Sequence, residues 1–563
     1  MNRNEDNRFA YVPANLDISR SVFNRDHKVI FSFNVGDCIP FYVDEIMPGD
    51  SFSVNTSKVV RMQPLVTPIM DNVYLDTYYF FVPYRLIWNH WINFMGENTD
   101  TAWVPSVEYT TPQITIPSGG FNVGTIADYM GVPPKVGAGK TISALPFRAY
   151  AKICNDWFRD ENLMNPVHIY VDDTTRTGVN TSNQVTDIEL GGAPFVACKY
   201  HDYFTSCLPG AQKASATSVQ FALNGLLPVN AYGAKNNINL GDSYNTDFGP
   251  LRLAAKDSND KYAAHGSNVK SLNIFGGGTI VGVGQSTATD GVSNVNLTPM
   301  NLFADLNNTS IFDINSLRQA FAIQKFYERQ ARSGSRYIEV IKAFFNVDSP
   351  DARLQRSEYL GGNRLPLNVS SCEQTSASQT GLTPQGNLTG ISATGDVNSD
   401  FTKSFTEHGL VIGIAVARYH HTYQQGLERF WSRKTKFDHY WPVFSNLGEM
   451  AVLTKEIYLD VSDDKDVFGY QEAWADYRYK PSRVAGEMRS VYTTPLDSWH
   501  LADNYASQPY LSDSWIREDK AMLDRCLAVT SAVSNQLIAD FYIQVHAARP
   551  MPLYSIPGLI DHH

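Results

Sequence analysis

The chain is 563 residues long and poor in cysteine and in charge. Its cysteines, Cys38, Cys154, Cys198, Cys207, Cys372 and Cys526, are scattered, and no two have C-x-x-C spacing. That pattern offers no zinc ribbon and no dithiol redox motif, so reduced, mostly buried thiols are expected. Charged residues make up 18%, below the usual share of about a quarter. Long apolar runs are missing as well. The longest smooth one, 409–417, is about half of what a membrane span needs. The opening residues 1–8 are polar and lack the apolar stretch of a secretory signal. The expectation is a protein made and kept in a cytoplasm, leaving the cell by lysis, with no membrane partner.

Catalytic signatures are missing too. There is no G-x-S-x-G elbow and no H-E-x-x-H helix. Residues 136–141 contain Gly139-Lys140-Thr141, but a phosphate-binding loop also needs a glycine at 134. Pro134 stands there and has no backbone N–H. A surface turn is the expectation. The glycine-rich run 276–284 does not spell G-x-G-x-x-G and no helix follows it, so it reads as a loop. His420, His421 and His439 lie near Asp438, Glu407 and His408 in the chain. Adjacent histidines on a strand point to opposite faces, so these read as structural residues and not as a metal cluster. No catalytic residue, metal ligand or cofactor is expected.

What the chain does have is 43% hydrophobic residues, 30 Tyr and 30 Phe, and a formal net charge of −11. This composition builds a sizeable core and excludes intrinsic disorder. The acidic balance argues against a generic nucleic-acid sleeve, which is basic overall. Residues 28–47 read as two short strands, 73–82 as a strand closed by Pro83, and 409–417 and 538–547 as further strands. Helices are predicted at 86–95 and 147–158. A third, capped by Asn315 or Ser316 and stopped at Ser333-Gly334, is the clearest. Between 230 and 300 the texture changes: 31 of 71 residues are Gly, Asn, Ser or Thr, with no Trp and no Glu. This predicts a long, loop-rich surface insertion. A second such stretch is predicted at 371–400, which has no Lys, no Arg and no aromatic residue. Aromatic and β-branched strands at both ends, with long connections between, fit a β-sandwich with excursions such as a jelly roll.

Residues 418–441 interleave basic and aromatic side chains. Arg418, Arg429, Arg433, Lys434 and Lys436 alternate with Tyr419, Tyr423, Phe430, Trp431, Phe437, Tyr440 and Trp441. Cations neutralise phosphates and rings stack on unpaired bases, which suits a single-strand-binding surface. Aromatics and arginine are equally enriched where subunits meet, and composition alone favours that reading. The 318–364 region is also locally basic, a weak signal on a solvated helix.

Several blocks carry a further resemblance. They include FYVDEIMPGDSF (41–52), MDNVYLDTYYFFVPYRLIW (70–88), LPFRAYAKICNDWFRDENL (145–163), INSLRQAFAIQKFYERQARSGSRYIEVI (314–341), TYQQGLERFWSRKTKFDHYWPVF (422–444) and ARPMPLYSIPGLIDHH (548–563). Together, in this order, the chain resembles the major capsid proteins of the Microviridae, in the gokushovirus branch of small single-stranded DNA bacteriophages. The 230–300 stretch does not match. The resemblance implies a mainly β fold: an eight-stranded antiparallel jelly-roll β-sandwich with long inserted loops and a few helices. Residues 1–229 and 301–563 would form its two parts, and 230–300 a variable insertion protruding at the threefold axes. It implies a T=1 icosahedral shell of sixty copies around a circular single-stranded DNA genome. It also implies a small basic DNA-binding protein, scaffolding and minor or pilot proteins, a bacterial receptor, assembly in the host cytoplasm and no enzymatic activity.

The expected inner-face DNA contacts are Arg418, Arg429, Trp431, Arg433, Lys434 and Lys436. The expected subunit-interface anchors are Trp88, Trp91, Phe94, Trp103, Phe430 and Trp441. Asn236, Tyr244, Tyr262 and Phe275 are the expected host-contact residues of the insertion. The rival from another class is a surface glycan-binding β-sandwich protein, for which a signal peptide or a convergent acid pair is lacking.

Overall fold

Alternation along the chain builds the first sheet. Ser51–Met62 reads SFSVNTSKVVRM, and Phe52, Val54, Thr56, Lys58, Val60 and Met62 are buried while the residues between them face outward. Leu537–Arg549 alternates in the same way. The computed structural model describes residues 20–97, 107–213, 355–376 and 384–554, with isolated segments between 229 and 350. Its long strands are β1 (His27–Phe33), β2 (Ile39–Ile46), β3 (Ser51–Met62), β4 (Val73–Pro83), β5 (Glu358–Pro366), β6 (Thr394–Ser404), β7 (Gly409–Tyr419) and β8 (Leu537–Arg549). They form two antiparallel sheets. One has the order β1–β8–β3–β6, with the short strand Ser21–Asn24 also pairing to β8. The other has the order β5–β4–β7–β2.

The inner faces of the two sheets share one core. Phe31 and Phe33 of β1, Phe52 and Val54 of β3 and Phe541 of β8 meet Phe41 of β2, Tyr79 and Phe81 of β4 and Val411 of β7. Phe541 sits edge-on to Phe31 at 5.1 Å and to Phe41 at 5.0 Å between ring centroids. These edge-to-face contacts add to the hydrophobic gain of burying three rings.

The outer face of the second sheet is also covered. Phe80 and Val82 of β4 and Leu410, Ile412, Ile414 and Val416 of β7 pack on Phe147, Tyr150 and Ile153 of helix α1 (Leu145–Ile153) and on Phe195. Strand β7 is therefore buried on both faces, which is why its sequence is an unbroken apolar run. After Ile153 the helix widens into a π-helical turn, Cys154–Phe158.

Two expectations change here. The 371–400 stretch is not a loop-rich insertion. It carries the hairpin Val369–Glu373 with Leu388–Ser392 and most of β6, which pairs with β3 from Thr394↔Val60 to Ser404↔Ser51. Small β-tolerant residues suffice on an edge strand whose register the partner strand supplies. The predicted helix at 86–95 is a turn at Tyr84–Leu86 followed by the single helical turn Trp91–Phe94. The clearest predicted helix is present at Ile314–Ser333.

The chain divides into two compact units, 1–213 with 326–563 and 214–325. Within the second, described strands pair as nested antiparallel ladders: Val229–Ala231 with Leu302–Ala304, Leu253–Ala255 with Leu297–Pro299, and Leu272–Gly276 with Val281–Gln285. Among the described residues no helix is long and apolar enough to cross a membrane. All cysteines are free thiols, buried except Cys372. Gly137 and Gly139, before Lys140-Thr141, take left-handed turn conformations.

Candidate assembly and nucleic-acid surface

The chain leaves β7 at Tyr419 and enters a stretch of short turns whose large side chains face outward. Arg429–Ser432 makes one tight turn. Thr435 then caps Lys436–Asp438, its side chain and that of Asp438 satisfying each other's backbone N–H groups. The indole Nε1 of Trp441 donates to the Lys436 carbonyl at 2.7 Å, closing this loop on itself. Pro442–Phe444 forms the next turn. With its polar backbone satisfied locally, the segment has no need to bury its rings. Phe430, Trp431, Phe437, Tyr440, Trp441 and Val443 are exposed, Trp431 by 66% and Val443 by 88%.

A second segment extends this surface. Trp474 is held in a left-handed conformation, φ 64°, which costs a bulky side chain about 1–3 kcal/mol. Its Nε1 donates to the Phe444 carbonyl at 2.9 Å, and its ring packs 5.7 Å from Tyr440. The reversal at Trp474 aims Ala475–Arg478 back toward the first segment. Tyr477 and Tyr479 are exposed here as well. Monomeric proteins rarely leave an apolar patch of this density open to water.

The basic residues expected to touch DNA divide into two groups. Arg433 pairs with Asp476 and stacks over Tyr477, 4.2 Å from the ring centroid. Arg429 donates to the Ala451 carbonyl at 2.7 Å and to Glu456 at 3.4 Å. Burial pushes the Glu456 carboxyl above its ordinary value although Arg429 opposes this. Tyr203 also donates to Glu456, at 2.8 Å. These groups line a cavity of about 290 Å³. Arg418 donates to Asp76 at 2.6 Å and to the Tyr78 hydroxyl at 2.9 Å. Three arginines of the six expected contacts are thus already engaged inside the chain. Lys434, Lys436 and Trp431 are exposed, and neither lysine has a carboxylate partner among the described residues.

The expected interface residues also separate. Phe430 and Trp441 lie on the exposed surface. Trp88 is fully buried and donates through Nε1 to Asp173, so its side chain serves internal packing. Trp91 is half-buried against Tyr84, 4.5 Å away, and Phe94 is 40% exposed. Trp103, Asn236, Tyr244 and Tyr262 lie outside the described residues. Phe275 is in the strand Leu272–Gly276, opposite Gly282.

The two adjacent histidines point apart. His420 is exposed and packs against Tyr200, 4.8 Å between centroids. His421 is fully buried, with Nδ1 2.9 Å from Asp503 and Nε2 3.0 Å from Glu518. Burial pushes the imidazole down, but Glu518 and Asp503 outweigh it and raise His421 to about 9. Burial pushes Asp503 up, and His421 with Lys199 outweighs that and holds it at about 2. This cluster escapes sequence inspection because its members come from 199, 421, 503 and 518. Among the described residues no group of His, Cys, Asp and Glu is placed to hold a metal ion. The exposed Tyr477 and Tyr479 were not anticipated either. Their only signal is the aromatic density of GYQEAWADYRYK (469–480).

Comparison with known proteins gives a consistent result. A family model described as "Capsid protein (F protein)" matches residues 10–559. Capsid protein VP1 of Spiroplasma virus 4 is 43% identical over 546 residues, covering 96% of each chain. Capsid protein VP1 of Chlamydia phage 1 is 39% identical over 588 residues, covering 98% of each. Capsid protein VP1 of Bdellovibrio phage phiMH2K is 38% identical over 560 residues, covering 99% of this chain and 98% of the relative.

Proposed function

The chain belongs to the capsid protein (F protein) family, and from that premise we propose that it closes into the T=1 shell of a small phage, sixty copies around a circular single-stranded DNA genome. It is a structural protein of the virion, not an enzyme. The observation that carries the shell reading is the aromatic surface of 430–443 with Tyr477 and Tyr479, which is too apolar to stay wet. A second copy of the chain is its occupant. Fully desolvated Trp and Tyr anchors concentrate binding energy at such contacts.

We read the two facing sheets as a jelly roll. The orders β1–β8–β3–β6 and β5–β4–β7–β2 support this. They pair β1 with β8, β2 with β7, β3 with β6 and β4 with β5, as a long hairpin folded over on itself would. The tip of that hairpin is the β4–β5 connection, which holds residues 84–357, including the 230–300 insertion. An insertion at a hairpin tip leaves the sheets intact, so this is the place for a protrusion that contacts a bacterial receptor. Loss of adsorption by particles lacking 230–300 would support that role, and normal adsorption would overturn it.

Lys434, Lys436 and Trp431 are exposed at the turn between Phe430 and Trp441; in this reading they are left to DNA, and the second copy covers Phe430, Tyr440, Trp441 and Val443. The net charge of −11 leaves most neutralisation of the genome to a separate small basic protein and to cations. Scaffolding and pilot proteins, and assembly in the host cytoplasm, complete the reading. The test is electron microscopy of the purified chain and of Trp441→Ala. Uniform closed shells from the parent chain, lost in the variant while the chain stays folded, are expected. Monomers from the parent chain under assembly conditions would overturn the reading.

A further inference from the structure

Two cross-strand pairs face each other across the sandwich. Lys58 of β3 lies opposite Asp396 of β6 in the first sheet. Thr77 of β4 lies opposite Asn363 of β5 in the second. Their side chains meet between the sheets. Lys58 Nζ donates to Thr77 Oγ1 at 2.9 Å, and Asn363 Nδ2 donates to Asp396 Oδ2 at 2.7 Å. The same Oδ2 lies 3.9 Å from Lys58 Nζ. One carboxylate oxygen thus stands beside both an amine and a carboxamide. Thr77 Oγ1 also donates to the Asn363 carbonyl at 3.3 Å, so the hydroxyl that holds the amine is tied to the strand carrying the carboxamide.

The lysine is out of place for its charge. Alternation along β3 turns it inward with Val54, Thr56 and Val60, and its side chain is 1% exposed. An ammonium is costly to bury unless it is closely paired. Here the carboxylate at 3.9 Å is too far for a hydrogen bond, so it compensates the burial poorly. Asp400 is engaged elsewhere, accepting from Thr56 and, at 3.0 Å, from Asn398. Burial lowers the Lys58 pKa, although Asp400 and Asp396 oppose the shift. Passing a proton to Asp396 removes both buried charges and leaves a neutral amine, which is the nucleophilic form.

We propose that Lys58 and Asn363 form an isopeptide bond joining the two sheets, with Asp396 as the acid–base group. Lys58 Nζ attacks Asn363 Cγ. The Nζ–Cγ bond forms and the Cγ–Nδ2 bond breaks. Asp396 relays the two protons lost by Nζ to Nδ2, which departs as ammonium, and the carboxylate is regenerated. The balance needs no oxidant and no cofactor. Paired strands hold the three groups together, which replaces a bimolecular encounter by an intramolecular step. The link encloses the whole β4–β5 connection, residues 84–357, so force on the insertion could not peel β5 from the sandwich. This inference goes beyond the shell reading and requires neither a second copy nor DNA.

The test is the intact mass of the full denatured chain, followed by peptide mapping. The parent should be lighter than its sequence by one ammonia, and a peptide containing Lys58 should be joined to one containing Asn363. Asn363→Ala should keep its full sequence mass and show no joined pair. Asp396→Asn, which keeps the shape but not the proton relay, should do the same. The parent measurement stands by itself if a variant fails to fold. A parent of full sequence mass overturns the proposal. An ammonia loss without the joined pair also overturns it, because a cyclised asparagine loses the same mass. A joined pair undiminished in Asp396→Asn would overturn the role of Asp396.

Discussion

Replacing His421 by glutamine should change how stability varies with pH, not just its level. The imidazole is buried, bridges Asp503 and Glu518, and stacks 4.6 Å from the Tyr419 ring. Lys199 lies 3.7 Å from Asp503, and Tyr505 donates to the same carboxylate at 2.8 Å. The folded chain holds His421 at about 9 instead of 6.5. That difference corresponds to about 3 kcal/mol of folding free energy. Because the folded value is the higher one, the contribution is complete below about pH 6.5 and disappears as pH rises through about 9. Asp503, held at about 2, acts in the opposite window. Its contribution is present above about pH 4 and is lost as pH falls through about 2. The alkaline limb therefore belongs to His421. Urea unfolding of dissociated chains, followed by tryptophan fluorescence, measures it. The parent chain should lose about 3 kcal/mol between about pH 6 and pH 9. His421→Gln should be weaker by about that amount near pH 6, with its curve meeting the parent's near pH 9. An alkaline loss of the same size in the variant would refute the assignment.

Three further outcomes are expected. Lys434→Glu with Lys436→Glu should lower the DNA content of purified particles, measured by absorbance ratio, without moving the unfolding midpoint. Adding Arg433→Glu should also lower stability, by about 1–3 kcal/mol, because Arg433 is the partner of half-buried Asp476 and the new carboxylate would face it unpaired. Phe541→Ala removes the ring between Phe31 and Phe41 and should cost about 3–5 kcal/mol in chemical unfolding. Gly362→Ala should disrupt the β4–β5 pairing, since an added Cβ would lie 2.0 Å from the Thr77 carbonyl oxygen. Hydrogen exchange of the β4 amides should rise in that variant.

Elements whose signal is local were legible in the chain. Strands β1, β2, β4, β7 and β8 and the helix Ile314–Ser333 follow from runs of β-branched and aromatic residues or from caps and helical spacing. Strand β6 was not legible, because its Gly, Asp and Asn residues are depleted in strands and its pairing comes from β3, more than three hundred residues earlier. At the candidate surface the basic-aromatic composition was visible, but not its division. Arg418, Arg429 and Arg433 look like Lys434 and Lys436 in a string of letters. Asp76, Glu456 and Asp476 remove them from solvent only once distant segments meet.

The order of blocks along 563 residues, with the lack of catalytic and membrane patterns, was enough by itself to indicate a capsid protein. Only the tertiary structure decided which cations pair with carboxylates, which tryptophans face water, and that β4 presents Tyr78 and Phe80 to a cavity on the outer face of its sheet. The reason is physical. Composition determines what a segment can contact, whereas burial and charge neutralisation are set by partners hundreds of residues away.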